Sequence, residues 1–347
     1  ARTLAWQTQS AFARDLLATW AAKPLRNWPA QGRGENPRIL LARLIHRVQI
    51  PETNQHLQQL RPWGTTGSSW WLNRHGDYDF SLALLTTLLW QFGDQPDLLY
   101  PQTRDHLLAV LLTEDGGGFR AKAPRSLGLV NETENHLLMT EGSRYLKNRW
   151  LRLYGDPSPR FDNEANGMEA RLLRLLAELQ AGTLFEFNSQ PYIGYTLLGL
   201  LNLEAYASEA VRQAARSLLD ELNWTYALGS YALRHYPPFR RRYEYASMTL
   251  LAAGYQTAFM KTWASFLPEP VAIPPFQRGG EPHGVVAALL PYRPADEVMQ
   301  VIFDKGAGYF VQLGHGPGAT PEIYSAGPGF LLSAGGAHRG RGSLIVA

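Results

Sequence analysis

Residues 134–153 read Glu134-Asn-His-Leu-Leu-Met-Thr-Glu-Gly-Ser-Arg-Tyr-Leu-Lys-Asn-Arg-Trp-Leu-Arg-Leu153, and this stretch decides the fold class. Its apolar and aromatic residues recur every three or four positions, which is the spacing of one face of an α-helix. Charged and polar residues occupy most of the intervening positions. The stretch therefore predicts a long amphipathic helix that packs against other elements along one side.

The same spacing recurs on both sides of this segment. It predicts eight further helices, at residues 5–22, 38–48, 79–92, 103–112, 163–180, 195–206, 209–226 and 243–259. Helices joined by short or medium loops usually stack as successive antiparallel pairs. No sequence repeat of fixed length is present, which argues against a regular solenoid. We expect an incomplete α/α toroid, an irregular ring of helical hairpins.

The pattern changes near Leu267, where four prolines within eight residues form a linker-like segment. Short apolar runs then follow, with glycine and proline between them, at residues 284–290, 298–303, 308–313, 329–333 and 343–346. Such runs predict an antiparallel sheet. We therefore expect an α+β chain with a toroid domain at residues 1–266 and the start of a β-sandwich domain at residues 267–347. The final run indicates that this second domain is incomplete.

Composition narrows the functional classes. The chain has 347 residues, 45% of them hydrophobic and 18% charged, as in ordinary globular proteins. The absence of cysteine excludes disulfides and thiolate metal sites, and it is compatible with export. No uncharged apolar run is long enough to cross a membrane. The basic residues are scattered along the chain, and no nucleic-acid-binding signature is present. The net charge of +3 suits an anionic ligand.

Asn135 and His136 stand at the start of the predicted 134–153 helix. An asparagine amide can donate to a carboxylate, and a histidine exchanges protons near neutral pH. The backbone N–H groups and the dipole at a helix start also favour an anion. The alternative is structural, with Asn131 or Thr133 capping the helix while His136 packs in the helical array. Glu134 is expected on the surface.

A second polar and aromatic stretch, Glu186-Phe-Asn-Ser-Gln-Pro-Tyr192, precedes the helix predicted at residues 195–206. Proline suits the first turn of a helix, which places Tyr192 at the mouth of a helical hairpin. A phenol acts as an acid or base where nearby positive charge lowers its pKa. Tyr195 competes with Tyr192 for this role, and Glu186 and Asn188 are candidate substrate-binding residues. An ordinary packed tyrosine is the alternative.

Three loops hold further candidates. The first combines sugar-binding residue types, namely Trp70, Trp71, Asn73, Arg74 and His75. The alternative is that this stretch is an ordinary loop in which Asp77 or Asp79 caps the next helix. Arg240 and Arg242 offer forked donors for carboxylate or sulfate, or form a solvated basic face. His338 lies in a glycine-rich loop that could bring the backbone close to a ligand. The alternative is an ordinary glycine-rich hairpin loop. No His-x-His or His-Glu-x-x-His spacing occurs, so we predict no metal site and no cofactor; a structural divalent ion in the β domain stays an open alternative that no motif supports.

In their order along the chain, these motifs resemble those of the heparinase II/III-like polysaccharide lyases. Asn135-His-Leu-Leu matches an Asn-His pair that opens a toroid helix in that family, Glu186 to Tyr192 loosely matches a later Glu-x-Ser-x-x-Tyr-His segment, and His338 falls near the position of a β-domain histidine. The chain departs at Ile193, where the family often has histidine. It departs again after His338, where Arg-Gly-Arg replaces the usual x-Asp.

The resemblance implies β-elimination in an acidic, uronate-containing polysaccharide, by a periplasmic or secreted enzyme without nucleic-acid or membrane partners. It implies that Asn135 neutralises the uronate carboxylate with His136 as partner or second base. Tyr192 would be the base, the acid or both, and His338 would assist. The arginines Arg74, Arg240 and Arg242 would hold carboxylate or sulfate groups.

Two other classes of protein remain open. A glycoside hydrolase on a helical toroid needs two carboxylates that flank the scissile bond, and candidates are Asp77, Asp79, Glu134 and Glu186. A non-catalytic glycan-binding protein of the same fold is the other class. Ile193 and the altered glycine-rich loop favour it.

Overall fold

Twelve α-helices and two small antiparallel sheets make up the part of the chain that the computed structural model describes. The described residues are 10–27, 35–62, 78–112, 129, 131–239, 251–277, 281–314 and 320–336. The helices are α1 (Ala11–Ala22), α2 (Asn36–His46), α3 (Ile50–Gln59), α4 (Asp79–Phe92), α5 (Pro101–His106), α6 (Glu134–Tyr154), α7 (Met168–Glu178), α8 (Ile193–Tyr206), α9 (Glu209–Leu228), α10 (Tyr255–Ala264), α11 (Glu281–Leu289) and α12 (Asp296–Phe303). Short π-helical segments follow α5 at Leu107–Leu111 and α7 at Leu179–Thr183.

The helix predictions agree best for α4 and α6. The predicted 79–92 and 134–153 segments correspond to α4 and α6, with ends that differ by at most one residue. The helix predicted at 163–180 begins later, at Met168, because residues 163–167 form turns. The sequence pattern missed α3, whose exposed surface carries most of its polar residues and whose buried positions include Thr53 and Asn54.

Two of the predicted strands are wrong. Residues 284–290 lie in α11 and its last turn, and residues 298–303 lie in α12. Every position from His283 to Leu289 is buried, so the apolar run has no polar face that would reveal a helical period. Helix α12 instead begins with two acidic residues, Asp296 and Glu297, whose charges complement the helix dipole. Both helices pack on helices that precede Leu267, since α11 contacts α1 and α10, and α12 contacts α9.

One large apolar core holds the helices together. Helices α4 and α8 are buried on nearly all sides and pack against each other and against α6. Contacts run from α1 to α2, then to α4, α8, α10 and α11, and from α11 back to α1. These six helices therefore form a closed series of contacts, in which α2 also contacts α11 directly, and α6 and α9 pack on α8.

The two sheets lie beside the end of α9. Strands β1 (Ser230–Tyr231) and β2 (Arg234–His235) form a short hairpin, and β3 (Tyr309–Leu313), β4 (Glu322–Gly327) and β5 (Phe330–Gly335) form a three-stranded meander. Strands β3 and β5 confirm the runs predicted at 308–313 and 329–333. Strand β4 was not predicted, because its polar Glu322 and Ser325 interrupt the apolar pattern. The predicted 343–346 strand lies outside the described residues.

Tyr324 and Leu331 form a small second core on the inner face of the meander. The hydroxyl of Tyr309 donates to the Leu228 carbonyl at 2.6 Å, which attaches the meander to the C-terminal end of α9. None of the described helices is both long enough and apolar enough to span a bilayer.

Candidate functional site

The first turns of six helices carry polar and aromatic side chains that the structure brings into one connected group. The helices are α2, α4, α6, α8, α10 and α11. We call this group the first-turn cluster, and it consists of Arg38, Asp79, Phe80, Asn135, His136, Tyr195, Tyr255 and His283. Backbone N–H groups at a helix start lack partners within the helix and carry partial positive charge. Several helix starts in one place therefore favour an anionic ligand.

His136 and Asp79 form a buried pair within this cluster. The Nδ1 atom of His136 donates to Oδ2 of Asp79, and the two side chains are 7% and 0% exposed. A carboxylate at Nδ1 orients the imidazole and selects the tautomer with its proton on that nitrogen. The Nε2 atom is then the ring position that can accept a proton.

A continuous series of contacts between aromatic and imidazole side chains extends from His136 on α6 to Tyr255 on α10. His136 stacks on Phe80 with ring centroids 5.7 Å apart, and Phe80 stacks on Tyr195 at 4.0 Å. Tyr195 meets His283 edge-on at 5.3 Å, and His283 stacks on Tyr255 at 3.9 Å. Phe80, Tyr195 and Tyr255 are half-buried, so solvent reaches the cluster at these rings.

Arg38 places a positive charge beside the two tyrosines. Its side chain is 1% exposed, and its Nε donates to the Pro282 carbonyl at 2.8 Å. Burial lowers the pKa of Arg38, while the neighbouring Tyr195 and Tyr255 act in the opposite direction. Burial, and then the charge of Arg38, lower the pKa of His283 well below its usual value. His283 is therefore a neutral imidazole next to a buried cation.

Asn135 has an unused donor. Its side chain is 1% exposed, and its Oδ1 accepts a 2.5 Å hydrogen bond from Thr133 Oγ1. Its Nδ2 is buried and has no hydrogen-bond partner among the described residues. Burying an amide N–H without a partner costs about 1–3 kcal/mol. A ligand carboxylate or hydroxyl that accepts from Nδ2 would recover this cost.

Glu134 joins the two motifs that the sequence singled out. The expectation that it lies on the surface is wrong, since its side chain is 4% exposed. Its Oε1 accepts from the Glu186 backbone N–H at 2.7 Å, and its Oε2 accepts from the Phe185 N–H at 3.2 Å. Burial raises its pKa, and these N–H groups oppose that rise. The start of α6 and the Glu186 segment are therefore held against each other.

The two candidate tyrosines occupy different positions. Tyr195 lies in the first-turn cluster, whereas Tyr192 is half-buried at the N-cap of α8, with its backbone N–H 3.3 Å from Ser189 Oγ. Glu186 is buried beside Glu134. The Asn188 side chain does not contact the first-turn cluster through its amide nitrogen, because its Nδ2 donates to the Pro238 carbonyl and to the Tyr324 hydroxyl.

Eight predicted site residues lie outside the described residues: Trp70, Trp71, Asn73, Arg74, His75, Arg240, Arg242 and His338. Four residues of the first-turn cluster were not predicted from the sequence: Arg38, Phe80, Tyr255 and His283. Each stands within three residues of a helix start, which is the one signal that they share. Among the described residues no group of three or more potential ligands is placed to hold a metal ion.

Comparison of the chain with protein-family models, with curated proteins and with solved structures gives no match. The function of this chain is therefore inferred from its residues and their geometry.

Acid is expected to destabilise the protein through His283 and through His235 of β2. Burial lowers the pKa of His235 to about 3. Below about pH 6.5 the unfolded chain protonates these histidines while the folded chain keeps them neutral, so stability is lost as the pH falls. Between about pH 7.5 and about pH 5.5 each histidine is expected to cost about 1.4 kcal/mol of unfolding free energy.

Urea unfolding at the two pH values measures this loss. His235→Phe keeps a ring in contact with Tyr226 and removes the titrating group, so its stability is expected to fall less than that of the wild type. His106→Gln, at a half-buried position of α5, is the control and should behave like the wild type. An equal fall in the wild type and in His235→Phe would contradict the assignment.

Proposed function

We propose that this protein is a polysaccharide lyase that cleaves a uronate-containing polysaccharide by β-elimination at the first-turn cluster. The observation that carries the proposal is the convergence of six helix starts with Arg38, Asn135, the His136–Asp79 pair and Tyr195. This combination offers positive potential, an unused amide donor and two groups suited to proton transfer.

Elimination requires a base to remove the proton α to the uronate carboxylate. The electron pair left on that carbon forms a carbon–carbon double bond, and the bond to the glycosidic oxygen at the β position breaks. That oxygen takes up a proton. Because the carbon acid is weak, the carboxylate charge must be neutralised as the carbanion develops.

Asn135 is suited to neutralise the carboxylate. Its buried Nδ2 has no hydrogen-bond partner among the described residues, so an incoming oxygen would replace no existing contact. The neighbouring helix starts and the buried Arg38 strengthen the same positive potential. Preorganised donors in a partly buried site act more strongly than donors in water.

His136 and Tyr195 are the proposed proton-transfer groups. Asp79 orients His136 so that Nε2 can accept the proton. Tyr195 is linked to His136 through Phe80, and it lies close enough to Arg38 for their charges to interact. A nearby cation stabilises a phenolate, which makes Tyr195 a better base and a suitable acid for the leaving oxygen. Tyr192 is the alternative phenol.

The fold supports this proposal in outline. The closed series of helix contacts is compatible with a toroid of helical hairpins, and the meander with the start of a β-sandwich. By resemblance, Arg74, Arg240 and Arg242 would hold carboxylate or sulfate groups and His338 would assist proton transfer; all four lie outside the described residues. A polymeric substrate is consistent with a periplasmic or secreted enzyme.

The rival hydrolase has less support. Of its candidate acids, Asp79 accepts from His136, and Glu134 accepts from two backbone N–H groups. Both carboxylates thus have orienting roles already, whereas glycoside hydrolysis needs two that face the scissile bond.

A panel of acidic polysaccharides tests the proposal, since elimination creates an unsaturated uronate that absorbs ultraviolet light. We expect absorbance to rise with at least one uronate polymer, and Tyr195→Phe to slow this rise by about 10²-fold or more. Tyr192→Phe is the matched change one helical turn earlier, and it should retain most of the rate. Loss of cleavage in Tyr192→Phe alone would transfer the role to Tyr192. The lyase proposal fails if every uronate polymer is inert while a neutral glycan is hydrolysed.

A further inference from the structure

A cavity of about 270 Å³ lies between α8, α9 and α10 on one side and strands β3 and β4 on the other. None of its described lining residues belongs to the first-turn cluster. A dry cavity of about 150 Å³ already holds benzene. This cavity therefore has room for a six-membered ring that carries substituents.

The lining is apolar in one part and polar in another. The apolar part consists of Leu179, Leu184, Phe187, Ile193, Leu222 and Leu313. Asn188, His235, Gln256 and the two carboxylates Glu221 and Glu322 supply polar groups. Glu221 is exposed, whereas His235 and Gln256 are buried, so the polar groups extend from the mouth into the interior. Sites for small molecules combine these features, with apolar walls and a few placed polar groups.

His235 offers both a donor and an acceptor to a ligand. Its side chain is 9% exposed and packs against Tyr226 and Phe239, with ring centroids 4.6 and 5.6 Å away. Among the described residues its ring nitrogens have no hydrogen-bond partner. Because burial keeps the imidazole neutral, one nitrogen carries a proton and the other accepts one. A hydroxyl group satisfies either nitrogen.

Asn188 offers an acceptor. Its Nδ2 donates to the Pro238 carbonyl and to the Tyr324 hydroxyl, which in turn donates to Glu322 at 3.0 Å. This chain of bonds fixes the amide and determines which end is Oδ1. The Oδ1 atom is buried and has no partner among the described residues. A ligand hydroxyl that donates to Oδ1 would remove this deficit.

Glu221 selects against anions at the mouth of the cavity. Its carboxylate is exposed on α9, and partial burial raises its pKa. A ligand carboxylate that enters beside Glu221 meets a like charge, whereas a hydroxyl can donate to it.

We propose that this cavity binds an uncharged sugar ring, with hydroxyls bonded to His235 and Asn188 and its apolar face against Phe187 and Leu222. It is a second glycan-binding position that discriminates against uronic acids, unlike the first-turn cluster. The proposal concerns binding alone, so it stands or falls separately from the elimination reaction.

Titration of the wild-type protein with D-glucose, D-mannose and D-galactose tests the site, with ¹⁵N-labelled histidine side chains observed by NMR. D-glucuronic and D-galacturonic acid, which carry a carboxylate in place of the C6 hydroxymethyl group of glucose and galactose, are titrated for comparison. At least one neutral hexose is expected to shift the His235 signals with a millimolar Kd, and its uronic acid to bind about tenfold more weakly. His235→Phe should weaken hexose binding by about tenfold or more.

Glu221→Gln changes an exposed side chain and leaves the buried polar groups in place, so it remains informative if His235→Phe does not fold. We expect the uronic acid to bind this variant more tightly than it binds the wild type, while the neutral hexose binds both about equally, and Glu322 still opposes a carboxylate in the cavity. The proposal is overturned if none of the neutral hexoses shifts the His235 signals. It is also overturned if the uronic acids bind the wild type as tightly as the hexoses do.

Discussion

Asp79→Asn is expected to lower the rate of uronate elimination by about 10²- to 10⁴-fold. The carboxylate accepts the Nδ1 proton of His136 and is fully buried at the first position of α4. An amide in its place can present its own N–H to the ring and so favour the tautomer with the proton on Nε2. That tautomer cannot accept a proton at Nε2. The loss should appear in kcat, because the orienting bond serves the chemical step more than substrate binding.

The pH dependence of kcat distinguishes this role from simple structural support. In Asp79→Asn the profile should change shape as well as height, and circular dichroism should show a folded protein. Asp220→Asn is the control, because Asp220 accepts a side-chain hydrogen bond from Tyr292 at 2.6 Å but lies on an exposed position of α9 outside the cluster. Wild-type kinetics in Asp79→Asn, or an equal loss in both variants, would show that Asp79 does not orient the base.

Gly199→Ala is expected to destabilise the fold by about 2 kcal/mol. Gly199 lies in α8 where that helix crosses α6. A Cβ atom there would stand 2.7 Å from Leu138 Cβ and 3.0 Å from the Leu138 carbonyl carbon. One of these contacts is with backbone, so relief requires α6 and α8 to move apart. That movement would also disturb His136 and Tyr195, which start the same two helices.

Gly142→Ala provides the comparison within the same helix pair. A Cβ at this position of α6 would meet Leu203 at 3.7 Å, which is ordinary contact. Alanine also favours a helix over glycine by up to about 1 kcal/mol, so this variant should be unchanged or more stable. Urea unfolding of both variants measures the difference. If Gly199→Ala proved as stable as Gly142→Ala, the close approach of α6 and α8 would be wrong.

The sequence predicted α4 and α6 well because the spacing of apolar residues in a helix involves positions only three or four residues apart. Both are longer than an ordinary strand, at 14 and 21 residues, so their apolar residues predicted a helix from neighbouring residues alone. Residues 284–290 show the limit of this approach. A short run that is apolar at every position has no visible period, so local sequence cannot distinguish a buried strand from the helix α11, which packs against α1 and α10.

The candidate site divides in a similar way. Asn135 and His136 could be selected from sequence because a helix start supplies anion-binding groups wherever it occurs. Their partners could not be selected. Asp79 lies 57 positions from His136 and reads locally as a helix cap, and Arg38 and His283 have no local feature that marks them.

Side-chain spacing is enough to predict that the chain is largely helical and that Asn135 and His136 open a helix, because backbone hydrogen bonding and side-chain spacing act over a few residues. The tertiary structure alone decided that Asp79 orients His136, that Tyr195 is linked through Phe80 to His136, and that Glu134 ties the two motifs together. Those contacts join different helices, and they depend on how the apolar faces of the helices pack into one core.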